Sequence, residues 1–261
     1  MFHFDRVSKQ YSDQPHVTDA PPILSDLSLH IPAHQFVCVL GPSGCGKTTL
    51  LNLAAGFIQP SQGRITFARQ PINGPSPHRG VVFQDATLFP WLNVLGNVLF
   101  GLRHNGYSKN EAKKQAELAL QQVGMQQHAK DWPAMLSGGM RQRVAIARIL
   151  ALKPQALLMD EPFSALDANS REHLQDTLLE LWQREQHTVL YITHSVEEAA
   201  YLADRVLIFG PAPHNLHTDM VIDMPRPRLR SSMAIQKLTK QLREQLNQLP
   251  CCLKPCHRGE N

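Results

Sequence analysis

The stretch Gly41-Pro-Ser-Gly-Cys-Gly-Lys-Thr-Thr49 constrains this chain more than any other. It follows the unbroken apolar run Phe36–Leu40, which suits a strand buried on both faces. It runs into a helical pattern over Thr48–Gly56. Strand, glycine-rich turn and helix, in that order, make a loop whose backbone N–H groups turn inward around phosphate oxygens. Gly41, Pro42, Ser43, Gly44, Cys45 and Gly46 form the turn. Lys47 supplies a cation to the β- and γ-phosphates, and Thr48, with Thr49 beside it, sets a hydroxyl on Mg²⁺ at a helix start that favours an anion. A glycine turn that only caps a helix is the plainer reading, and the flanking strand and helix weigh against it.

Such a loop needs carboxylates on a neighbouring strand. Ala156–Met159 reads as a buried strand with Asp160 and Glu161 at its C-terminal end, where parallel sheets bind ligands. Asp160 is expected in the Mg²⁺ shell, and Glu161 is placed to polarise a water attacking the γ-phosphate.

The rest of the chain supports an α/β fold. Phe2, Phe4 and Val7 read as an N-terminal strand, and Leu27, Leu29, Ile31 and then Ile65, Phe67 alternate as half-buried strands do. Residues 12–22 read as a turn-rich surface excursion. Gly80–Phe83, Val189–Thr193 and Val206–Phe209 are further strands. Helices are expected after Ser108, an N-cap with Glu111 three residues on, and over Arg141–Leu152, Arg171–Arg184 and Val196–Ala203. Strands alternating with helices indicate a parallel sheet with crossover helices. After Pro211 the chain turns polar and Pro-rich, and it ends in an amphipathic helix carrying Ile235, Leu238, Leu242, Leu246 and Leu249 on one face.

Composition excludes several classes. No apolar run exceeds five residues, whereas a membrane-spanning helix needs about 20. No apolar signal core follows the N-terminus. The five Cys are odd in number and split between two places, so a reducing compartment is expected. The net charge of +4 carries no Lys/Arg block beyond RPRLR at 226–230, so no nucleic-acid partner is expected. Cys251, Cys252, Cys256 and His257 could ligate Zn²⁺, although the adjacent Cys pair is an awkward tetrahedral chelate.

Leu136-Ser-Gly-Gly-Met140 narrows the field sharply. Ser137 with Gly138 and Gly139 at a helix start forms a second anion site, or, on the plainer reading, a simple N-cap. With this motif the chain resembles the ATP-binding subunit of an ABC transporter, over roughly residues 1–225. The resemblance implies a P-loop NTPase (RecA-like) parallel sheet, an antiparallel β subdomain and a helical subdomain at about 88–152, with 226–261 as a helical tail. It implies that Tyr11 stacks on adenine and that Gln84 touches Mg²⁺ and water and answers to the membrane partner. Ser164–Asp167 would communicate across a dimer, and His194 would contact the γ-phosphate. Two copies would face head to tail, ATP at Lys47 and Thr48 of one being covered by Ser137 and Gly139 of the other. Transmembrane permease subunits and, through them, a solute-binding protein are the implied partners, with the chain on the cytoplasmic face of the inner membrane.

His78–Gln84, Leu88–Leu102 and Pro162–Asp167 resemble the importer branch for nitrate, sulfonates and taurine. The ATPase serving thiamine pyrimidine precursors is closely similar. Met140 stands where Gln is usual, Ser195 where Asp is usual, and the excursion at 12–22 is longer than most. Cys45 is read as a packing choice. Trp91 is expected near a groove for the membrane subunit, with a core aromatic as the plainer reading. A non-transport ABC ATPase is the first rival, but no heptad run separates Thr48 from Ser137. A small-molecule kinase is the second, and it leaves Leu136–Met140 and His194 without a role.

Overall fold

The computed structural model describes residues 1–11, 22–164, 166–213 and 215–249. The excursion expected at 12–22 (Pro22 aside) and the Cys251, Cys252, Cys256, His257 cluster lie outside them.

The chain builds two sheets. Strands β1 (Phe2–Lys9), β2 (Leu24–Ile31), β4 (Gln62–Phe67) and β5 (Gln70–Pro71) form an antiparallel sheet in the order β2-β1-β4-β5. Strands β3 (Phe36–Leu40), β6 (Arg79–Val82), β7 (Ala156–Asp160), β8 (Thr188–Ile192), β9 (Arg205–Phe209) and β10 (Leu216–Val221) form the second sheet, in the order β10-β9-β3-β8-β7-β6. All its neighbours run parallel except β10, which is antiparallel to β9.

Side chains of the parallel strands alternate between two cores, as the pleat requires. Phe36, Cys38, Leu157, Met159, Val189, Tyr191, Val206 and Ile208 enter one core with the helices. Val37, Val39, Ala156, Leu158, Leu190, Ile192, Leu207 and Phe209 enter the other, against the antiparallel sheet and α1 (Lys47–Ala55). Both faces of the sheet are covered, which explains the unbroken apolar strands.

Three helices, α2 (Val94–His104), α3 (Lys109–Gln122) and α4 (Gly138–Leu150), form one group. The cap expected for α3 is a full capping box: Glu111 N–H donates to Ser108 Oγ at 3.3 Å and Ser108 N–H donates to Glu111 Oε2 at 3.1 Å. Ala112, Ala116, Ala119, Leu120 and Val123 are all buried, as their spacing predicts. Helices α5 (Ala168–Glu185), α6 (Val196–Leu202) and α7 (Met233–Asn247) complete the helical side.

The structure differs from the sequence reading in several places. It adds α2, started by Asn93, whose Oδ1 accepts from Gly96 N–H at 2.7 Å. It adds β10 after Pro211, an edge strand of half-buried Leu216, Thr218 and Met220 between exposed residues. And α4 begins at Gly138, three residues earlier than expected, because Ser137 caps it directly. Ile235, Leu238 and Leu242 of α7 are buried, the last two in the core shared with α6, while Leu246 and, just past the helix, Leu249 pack against its edge. Among the described residues no helix is long and apolar enough to cross a membrane.

Candidate active site

Four adjacent strands of the parallel sheet end on one edge, and each delivers candidate residues there. β3 runs into the glycine turn, β7 into Glu161, β8 into Thr193 and His194, and β6 into Phe83 and Gln84. Register fixes this convergence: Val39 and Asp160 both pair with Ile192, and Val82 pairs with Met159.

The turn's shape depends on its glycines. A Cβ on Gly41 would lie 2.3 Å from the Phe209 carbonyl oxygen. Gly46 starts α1 with φ of 98°, and a Cβ there would meet Leu24 Cδ2 at 2.7 Å. Lys47 is buried, and its ammonium donates to the carbonyls of Gly41 at 2.7 Å and Pro42 at 2.8 Å. The cation therefore lies over the mouth of the loop. Pro42, Ser43 and Gly44 are half-buried or exposed at the rim, and Thr49 is buried behind them. Cys45 is buried among core residues, in line with a packing role.

Burial pushes the Asp160 carboxyl above its ordinary value, and the neighbouring Glu161 pushes the same way, against the Thr48 hydroxyl and Lys47. A hydroxyl and a carboxylate on one sheet edge belong to the donor set of a hard cation such as Mg²⁺, which keeps several waters and takes the rest of its ligands from phosphate. No group of three or more His, Cys, Asp or Glu among the described residues makes a metal cage of its own.

Glu161 holds a backbone conformation rare for a residue with a side chain, φ of 44°. Its N–H donates to Ile192 O at 3.0 Å, and its carbonyl accepts both Ser164 N–H at 3.2 Å and Ser164 Oγ–H at 3.0 Å. The side chain is thereby aimed along the sheet edge, where His194 Nδ1 lies 3.0 Å from Glu161 Oε2. With Glu161 ionised, this contact calls for the proton on Nδ1.

The remaining candidates surround this edge. Gln84 is exposed just past β6. Its neighbour Phe83 accepts at its carbonyl from the buried Gln142 Nε2 at 3.1 Å, which ties α4 to the Gln84 turn. Ser137 caps α4, its Oγ accepting from Met140 N–H at 3.3 Å, with Gly138 and Gly139 in the first turn. Asp167 caps α5, accepting from Ser170 N–H at 2.9 Å, and these bonds hold its carboxyl below its usual value. Tyr11 stands half exposed beyond β1, with Lys9 Nζ 5.2 Å from its ring centroid. The structure does not put Ser137, Gly138, Gly139 or Asp167 in hydrogen-bond contact with the glycine turn of the same chain.

Sequence reasoning missed Glu198. It is buried, and its carboxylate accepts from Gln175 Nε2 at 3.1 Å, Tyr191 OH at 3.0 Å and Thr193 Oγ1 at 2.6 Å. Burial, with Glu198 beside it, holds the Tyr191 phenol protonated far above its ordinary range. Arg171 Nε lies 4.0 Å from Glu198, and the same guanidinium donates to Phe163 O at 3.2 Å and Leu166 O at 2.8 Å. Ser195 supports the His194 turn without an acid: its Oγ accepts from Glu198 N–H at 3.2 Å and donates to Glu197 at 3.0 Å.

The comparisons with known proteins agree with this geometry. The ABC transporter family model matches residues 24–164. A taurine import ATP-binding protein of Pseudomonas fluorescens is 48% identical, over 84% of this chain and 83% of its own. Another, from Yersinia pestis, is 52% identical over 74% of this chain and 75% of its own. Among solved structures, the dimeric post-hydrolysis state of an ATP-binding cassette bound to ADP and Pi superposes with a TM-score of 0.75 at 28% identity, covering 86% of this chain and all of that one. Glycine turn, strand-end acids, capped Leu136–Met140 motif and relatives all converge: the chain belongs to the ABC transporter family and is an ATP-binding, ATP-hydrolysing cassette.

Proposed function

We propose that this cassette is the motor subunit of a multi-subunit importer, working as one of two copies on the cytoplasmic face of the inner membrane beneath transmembrane permease subunits that receive cargo from a solute-binding protein. The observation that carries the reading is the gathering of Lys47, Thr48, Asp160, Glu161, His194 and Gln84 on one sheet edge, while Ser137 caps a separate helix.

Lys47 binds the β- and γ-phosphates, which replace the Gly41 and Pro42 carbonyls as partners of its ammonium. Thr48, Asp160 and Gln84 would hold Mg²⁺, which when bound neutralises charge on the phosphate oxygens. Glu161 orients the attacking water and takes its proton, and His194 places its ring against the γ-phosphate while Glu161 fixes its tautomer. Tyr11 stacks on adenine. Ser137, Gly138 and Gly139 of one copy close over the nucleotide of the other, with Asp167 at the joint. ATP then joins two copies, and hydrolysis parts them.

The taurine import relatives favour a small sulfonate, nitrate or taurine-type anion as cargo. A thiamine pyrimidine precursor is the alternative cargo for the same motor. Purifying the chain with its membrane partner and solute-binding protein, then screening the latter against taurine, other sulfonates, nitrate and pyrimidines, tests the reading. Tight binding of a sulfonate supports it. Absence of any associated membrane protein overturns it.

A further inference from the structure

Asn215 lies at the threshold of β10, only 2% exposed. Its amide is fully used. Oδ1 accepts from Ser25 N–H at 2.9 Å, and Nδ2 donates to Ile23 O at 2.7 Å and to Cys45 O at 3.3 Å. Its own carbonyl accepts from Gly210 N–H at 2.8 Å. One side chain thus joins the start of β2 to the glycine turn. The job calls for an amide: two carbonyls and one N–H must be met by two donors and one acceptor, which a carboxylate or an aliphatic chain does not offer.

Ile23 leads onward to Tyr11. Its N–H donates to Lys9 O at 2.8 Å, closing the end of β1 two residues before Tyr11. The Ile23 carbonyl also abuts the glycine turn, since a Cβ on Gly46 would lie 3.2 Å from it. Twelve positions separate Tyr11 from Ile23 in the sequence. The path Cys45–Asn215–Ile23–Lys9 links the glycine turn through hydrogen bonds to the residues just before Tyr11.

We propose that Asn215 is a positioning residue for the nucleotide base: it fixes the Tyr11-bearing end of the antiparallel sheet against the phosphate loop, and so sets the span between adenine platform and phosphate site. The proposal rests on Tyr11 being that platform. It predicts that loss of the Asn215 amide weakens ATP and leaves a phosphate chain without a base unaffected.

The experiment compares ATP and inorganic tripolyphosphate binding to the purified full chain carrying Asn215→Ala, with Asn215→Ser, which keeps one donor, as the milder variant should Asn215→Ala fold poorly. The expected result is roughly tenfold weaker ATP binding for Asn215→Ala, a smaller loss for Asn215→Ser, and tripolyphosphate affinity within twofold of the parent. KM for ATP rises while kcat holds. In a Tyr11→Ala background the Asn215 substitution adds nothing further. Equal losses for both ligands overturn the proposal, because Asn215 then shapes the phosphate loop alone. Full additivity with Tyr11→Ala overturns it also. Tyr11→Ala that by itself leaves ATP affinity unchanged removes the platform reading, and that outcome is separately visible.

Discussion

Glu198 brings a carboxylate into the core and gives it donors from three directions. Through Thr193 it steadies the turn that carries His194, and through Arg171 it reaches the carbonyls of Phe163 and Leu166, close to Ser164, which holds Glu161. A buried acceptor with this many partners is costly to alter, since each orphaned donor keeps its desolvation penalty. Glu198→Gln keeps the shape but turns an N–H₂ toward those donors. It should lower unfolding free energy by about 1–3 kcal/mol and reduce kcat while ATP affinity stays near that of the parent; urea unfolding, steady-state kinetics and nucleotide binding measured together check this. A drop in ATP affinity as large as the drop in kcat would count against a role at the hydrolytic edge. Asn215 was not legible in the sequence because its partners lie far along the chain, at the start of β2 and in the glycine turn; Glu198 was not because an acid in the first turn of a helix reads as solvent-facing, and only the fold buries it against β8 and α5. Lys47, Thr48, Asp160 and Glu161 were legible because a strand end followed by its turn is a local pattern.

At the scale of elements, legibility followed amphipathicity. Helix α3 declared itself through Ser108, Glu111 and a clean apolar spacing. Helix α2 did not, because Gly96 and Gly101 interrupt it and aromatic neighbours obscure its start. Strand β10 failed for another reason: an edge strand has one neighbour and half-buried side chains, so its alternation is faint. Helix α7 was foreseen, but its depth of packing was not. Leu242 is fully buried against the α6 side of the core, and Arg243 forms an ion pair with Glu197, three residues past His194. Leu242→Ala should therefore cost about 2–5 kcal/mol, read by chemical denaturation, whereas substitution of the exposed Met233 should change stability by no more than about 0.5 kcal/mol. A negligible loss at Leu242 would show that α7 is an appendage.

At the scale of the molecule, two surfaces matter. One is aromatic: Trp91 is 68% exposed and Phe100 50%, with Phe89 between them at 5.5 Å and 4.6 Å between ring centroids. Asn97 pins the loop beneath, bonding the N–H and carbonyl of Phe89 and the carbonyls of Leu92 and Asn93. An apolar patch held rigid in this way suits a partner, and the plainer expectation of Trp91 as a core residue does not hold. Trp91→Asp should leave ATP hydrolysis by the isolated chain unchanged and abolish co-purification with the membrane subunit. Retained co-purification would place the interface elsewhere.

The other surface carries the capped start of α4. It has no hydrogen bond to the glycine turn of its own chain, and in the proposed two-copy arrangement it covers the turn of the other copy. Sedimentation of Glu161→Gln with ATP and Mg²⁺ tests this most directly. Loss of the proposed general base should slow hydrolysis by about 100- to 10,000-fold, ATP should stay bound, and the chain should sediment as a dimer that Ser137→Arg returns to monomer without loss of ATP. A Glu161→Gln chain that stays monomeric with ATP bound, or hydrolyses it at the parent rate, would contradict the two-copy mechanism.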